Sequence, residues 1–110
     1  MSTVISHTLD TAQELENKLA SANPTNLADS EAVSTALEAV GAVLTQLNRE
    51  DLMSRDGAMD VAAANVRGPL VTLSGLKDQL TEISTRLATL ADIANDVDQV
   101  VNGCQTIFGL

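Results

Sequence analysis

The sequence predicts an all-α protein: an antiparallel helical hairpin packed with a long, heptad-patterned C-terminal helix, coiled-coil-like within a three- to four-helix bundle. Three observations carry this expectation. Leu and Ala dominate the 45% of residues that are hydrophobic, and Phe108 is the only aromatic. Apolar residues recur at spacings of three and four. Two prolines and several polar clusters cut that pattern into helix-length pieces. Leu and Ala lose little side-chain freedom in a helix, whereas a β-sandwich or barrel draws on aromatic and β-branched residues. At 110 residues the chain fits a single domain, 1–110.

The first helix is predicted over about 3–22. Ile5, Leu9, Ala12, Leu15, Leu19 and Ala22 form one apolar stripe, and Glu14 and Lys18 make a favourably oriented i, i+4 pair. Pro24 stops it, because proline has no N–H to donate and disfavours helical geometry at Asn23. The second helix, about 28–48, takes Asn26 or Ser30 as N-cap, with Asp29 and Glu31 near the positive end of its dipole. Val33, Leu37, Val40, Leu44 and Leu47 are its stripe. So short a link between two amphipathic helices implies an antiparallel hairpin.

Residues 48–57, NREDLMSRDG, read as a turn or frayed helix. A short third helix over 58–67 carries Met59, Ala62, Ala63 and Val66. At Gly68-Pro69 either that helix ends and Pro69 opens the next, or one long helix kinks.

The last segment, 69 to 102 or 107, holds the strongest pattern. Leu73, Leu76, Leu80, Ile83, Leu87, Leu90, Ala94, Val97, Val101, Cys104 and Phe108 alternate three and four without a gap, a heptad repeat with Leu73 at a. From Ser74 onward the outward b, c and f positions are mostly polar. The e and g positions pass from Lys77, Gln79 and Arg86 to Ala91, Ile93 and Val100, which widens the seam toward the C-terminus. A helix of this length spans roughly 50–58 Å against about 30 Å for each hairpin arm. The uncovered part of the seam calls for the third helix, a second copy of the chain or another protein, and a homo-oligomer is the favoured expectation. The expected interaction seam is Leu73, Leu76, Leu80, Ile83, Leu87, Leu90, Val97, Val101 and Phe108. Asn102-Gly103 reads as a helix stop inside this register, and the apolar tail beyond it is expected to complete the core, with an exposed anchor for a partner as the alternative.

Fifteen acidic residues against six basic ones give a net charge of −9. The cations Lys18, Arg49, Arg55, Arg67, Lys77 and Arg86 never cluster, which argues against nucleic acid and anionic membranes as partners. No run of about eighteen apolar residues offers a membrane span. The N-terminal residues have no signal-peptide pattern, so a cytoplasmic location is expected, with signal-independent export left open.

Chemistry-bearing motifs are scarce. His7, the single histidine, has no partner at a motif spacing and is read as an exposed helix residue. The stretch after Asp51 fails as a calcium loop, because Met53 and Arg55 fall at positions three and five and Asp56 where glycine is needed. Asp92, Asp96 and Asp98 read as a solvated helix face. Cys104, at a d position without basic neighbours, reads as a buried small hydrophobe, with an inter-chain disulfide as the alternative. No metal, cofactor or catalytic residue is expected. The expected function is a non-catalytic interaction or assembly module that self-associates or docks on a protein partner. The alternative is a small acidic adaptor, chaperone or inhibitor that binds a partner's helix or basic surface. A lipid-coating role is disfavoured by the absence of Trp and the scarcity of Lys and Arg.

Overall fold

The computed structural model describes residues 2–52 and 54–110 and is an up-and-down bundle of four helices. These are α1 (Ser2–Ser21), α2 (Leu27–Leu47), α3 (Ala58–Ser84) and α4 (Ile93–Phe108), with a single 3-10 turn at Ala88–Leu90 between the last two. Each helix packs antiparallel to its sequence neighbour, and α4 closes the bundle against α1. The bundle is 46 × 22 × 19 Å.

The hairpin matches the expectation. Ala12, Leu15 and Leu19 of α1 are fully buried, with Ile5, Leu9 and Ala22 at the edge of the core. Asn26 is the N-cap of α2: its side-chain oxygen accepts from the Asp29 N–H at 2.9 Å. Because α2 lies between α1 and α3, it buries more than one stripe: Ala32, Ala36, Ala39 and Val43 join Val33, Val40, Leu44 and Leu47 in the core. The 48–57 stretch is a turn region, apart from residue 53, which lies outside the described residues. Leu52 plugs the end of the core, and Gly57, at φ +81°, sets up the start of α3.

Three boundaries differ from the sequence reading. Gly68-Pro69 ends nothing: α3 runs through Pro69, so the separate helix at 58–67 and the helix start at 69 are replaced by one element. The carbonyl that loses its donor at Pro69 belongs to Asn65, an exposed residue, where water can substitute.

The second difference is larger. The C-terminal segment is not one long helix: it folds back between Ser84 and Ile93. The heptad pattern hid this because Leu90, in the 3-10 turn, is fully buried and Leu87 packs on the core edge, so the register continues through the bend. The bend contains neither Gly nor Pro. Serine and threonine hydroxyls instead loosen the end of α3: Ser84 donates to the Thr81 carbonyl at 2.5 Å and Thr85 to the Glu82 carbonyl at 2.7 Å. Folding back lets the segment cover its own seam, and the length mismatch that called for a second copy is removed.

The C-terminal stop also moves. Gly103 lies inside α4, where a Cβ would collide with the Thr8 side chain, so its role is close approach of α4 to α1. The true stop is Gly109, at φ +69°, with the Leu110 N–H reaching back to the Gln105 carbonyl at 3.1 Å. Cys104 and Phe108 are buried and Ile107 packs on the core, so this tail is largely core.

Candidate functional site

The residues of the expected seam are brought together, but inside one chain. Leu73, Leu80 and Ile83 from α3, Leu90 from the bend, and Val97 and Phe108 from α4 are buried, while Leu76, Leu87 and Val101 pack against them. The buried ones cannot at the same time serve as an open surface, so a docking side must rest mainly on other residues; of the seam, half-buried Val101 also borders a groove.

Charge narrows the search. Lys18 of α1 bonds Asp96 of α4 at 2.6 Å and the Ala91 carbonyl at 3.0 Å. Asp96 is therefore buried and not part of a solvated face, because α4 packs on α1 as well as on α3. Arg86 reaches from the bend to Asp29 at the start of α2, at 2.6 Å, and this carboxylate raises the guanidinium pKa above its ordinary value. Lys77 pairs with Asp98 at 2.9 Å across α3 and α4. Arg49 holds Asp51 at 3.1 Å, and that hydrogen bond keeps the Asp51 carboxyl below its usual range; Arg55 approaches the same carboxylate at 3.5 Å. Arg67 is the one cation with no ion pair among the described residues.

Arg67 stands at the rim of a groove between α3 and the C-terminal end of α4. The groove is about 520 Å³ and is lined chiefly by Leu70, Val71, Val101, Gln105 and Leu110. Its walls are apolar, and Val71 and Leu110 are 73% and 40% exposed. Beside it runs an outward stripe on α3: Val61, Ala64, Gly68, Val71 and Gly75, all exposed and spaced three and four apart. Comparison of the chain with models of known protein families, with curated proteins and with solved structures gives no match. The groove and stripe are thus known only from their own chemistry. A Cβ at Gly68 or Gly75 would meet nothing within 4 Å, so this side of α3 is bare and low in relief.

This stripe lies off the a and d positions that the apolar period marks. In the Leu73 register its members take c and f positions, which a solvated helix fills with charged or polar side chains. Apolar and small residues at five successive c and f positions were the available signal.

The other candidates assemble no chemistry. His7 is exposed on α1 and makes no ion pair among the described residues; Asp10 lies beside it in a shallow hollow. Cys104 is fully buried, and burial pushes its thiol up to about 12, the reverse of what a nucleophilic thiolate needs. Among the described residues no three His, Cys, Asp or Glu side chains are placed to share a metal ion. No described helix is long and apolar enough to cross a membrane.

Proposed function

We propose that this chain is a non-catalytic interaction module that receives an amphipathic helix of a partner protein along the α3/α4 groove. The observation that carries the reading is the coincidence of two features: exposed apolar side chains at Val71 and Leu110, and a cation, Arg67, left without an ion pair beside them. A partner helix would lay its apolar stripe on Leu70, Val71, Val101 and Leu110 and set a carboxylate against Arg67. The small residues Ala64, Gly68 and Gly75 would let its backbone approach α3 closely.

The reading can be tested with a labelled amphipathic helix of about five turns, a leucine stripe flanked by Glu, read by fluorescence anisotropy. Saturable binding that is lost in both Val71→Asp and Arg67→Glu is the expected result. A Lys-flanked version of the same helix should bind more weakly. Equal binding of the two helices, or binding indifferent to both substitutions, overturns the assignment.

A second reading has its own observation. Among the described residues, five of the fifteen acidic side chains, Asp29, Asp51, Glu82, Asp96 and Asp98, take part in ion pairs, and the acidic excess leaves the surface strongly anionic. That charge would suit a basic partner surface. Preference for the Lys-flanked helix, with the Val71→Asp substitution harmless, would favour this second reading.

A further inference from the structure

We propose that the α3–α4 hairpin is a switchable element, and that two copies of the chain dimerise by exchanging α4 as the bend at 85–92 straightens into helix. Neither the groove nor its partner enters this inference, which rests on the opposite end of the bundle.

Four observations converge on the bend. Its sequence, TRLATLAD, contains no helix breaker, and four of its eight residues are the strong helix formers Leu and Ala. Asp92 sits at φ 62°, the only non-glycine residue with positive φ among the described residues, whereas Gly57 and Gly109 fill the other two such positions. Local preference and observed conformation are therefore in conflict here, as they are in hinge loops that favour exchange. The heptad register also runs through the bend without interruption: Ile83, Leu87, Leu90 and Val97 would line one side of a straight helix. A hairpin gains nothing from that continuity, since its two arms face each other whatever the phase across the loop.

The Lys77–Asp98 pair shows why the continuity matters. It aligns α3 and α4 antiparallel, and the midpoint between these two positions falls at residues 87–88. If the bend straightens, α3 and α4 of one chain form a single helix of roughly 75 Å, from Ala58 to Phe108. Two such helices then lie antiparallel with their dyad at 87–88. Every α3–α4 contact is kept but becomes intermolecular. Leu87 and Leu90 flank the dyad, each in phase to pack against the other copy. The second copy thus completes a seam that the hairpin leaves half-covered at Leu87.

The closed form is held by two clasps that straightening must release: Arg86 to Asp29, and Lys18 to the Ala91 carbonyl. The balance between forms is accordingly set by chain concentration and by these clasps.

The test uses the full chain, refolded from denaturant at low and at high concentration, with solution mass read by light scattering and refractive index. A monomer–dimer pair whose dimer share rises with concentration is expected. Arg86→Ala should raise the dimer-to-monomer ratio roughly tenfold, since each dimer breaks two such partly exposed pairs at a factor of about three apiece. Ala88→Pro should abolish the dimer while leaving the monomer folded. Leu87 is already extended before it and the Ala88 N–H makes no turn bond among the described residues, so the closed form accepts proline, whereas in the straightened helix proline would remove a bond and kink the helix at the dyad itself. Topology is read from the pair Lys77→Cys and Asp98→Cys in a Cys104→Ala background. On oxidation an exchanged dimer gives a covalent dimer under denaturing conditions. A monomer at every concentration, a dimer indifferent to Ala88→Pro, or a dimer whose disulfides all lie within one chain overturns the proposal.

Discussion

The two faces of α4 are built on different principles. Toward α3 it presents Val97 and Val101, which meet Leu73, Leu76, Leu80 and Ile83 in an apolar seam of ordinary helix spacing. Toward α1 it presents Gln99, Gly103 and Asp96, which meet Thr11, Thr8 and Lys18. The first interface is held by burial, which is non-directional and tolerant of exchange among similar side chains. The second depends on close approach and on one buried carboxylate matched to one ammonium. The contrast separates what gives the bundle its stability from what gives it a unique arrangement: the α3 side could accept many sequences, and the α1 side few.

Substitutions can break or sharpen this contrast. The largest effect is expected in the apolar seam: Leu80→Ala, at a fully buried position, should cost about 2–5 kcal/mol in denaturant unfolding. Leu87→Ala, at the half-buried edge of the same register, should cost clearly less. If the two losses are equal, the seam does not bend where the structure bends it.

Next in size is Gly103→Ala. In a free helix this change is favourable, but here the new methyl group meets Thr8, and a loss of about 1–3 kcal/mol is expected from overpacking. In a Thr8→Ala background the same substitution should become neutral or stabilising. A thermal-melt cycle over the four variants checks this, and strict additivity would show that the two residues do not touch.

Lys18→Met should cost about 1–3 kcal/mol, because it strands the buried Asp96 carboxylate. Lys18→Met with Asp96→Leu should recover much of that loss. The double variant melting no higher than Lys18→Met would remove the ion pair from the account of this interface.

The smallest effect is a chemical one. With its pKa raised to about 12, the Cys104 thiol of the native protein should resist a thiol reagent at pH 8 and react at once in urea. Since the folded thiol holds its proton up to about 12 and the unfolded one only to about 9, its contribution to stability is intact below pH 9 and declines as pH rises from there. Rapid labelling of the native chain would mean that α4 opens readily.

The sequence displayed the apolar interface in full and the polar one hardly at all. Leu73, Leu80 and Val97 announce themselves by period, and so do Leu15, Leu19 and Val40, so helix class and most core positions were legible. Gly103 was legible only as a punctuation mark, because a sequence does not say whether a glycine ends a helix or admits a neighbour. Asp96 looked like its solvated neighbours because its burial depends on where α1 lies. Pro69 is tolerated because the bond it removes faces water. The bend at 85–92 was hidden for a further reason: no residue in it opposes a helix, and only the three-dimensional competition between a bare seam and a self-covered one decides for the hairpin. On the candidate interaction side, Arg67 was visible as a charge, but only the pairing of the other five cations sets it apart.

The central claim is that the heptad segment doubles back on itself in the single chain. Spin labels at Ser74→Cys and Gln105→Cys, in a Cys104→Ala background and on the monomer fraction, measure this directly. The two positions line the same groove, so the hairpin predicts strong dipolar broadening of the continuous-wave spectrum and no long-distance signal. A straight helix would hold them roughly 46 Å apart. A pulsed dipolar distance near that value in the monomer, without broadening, would contradict the account.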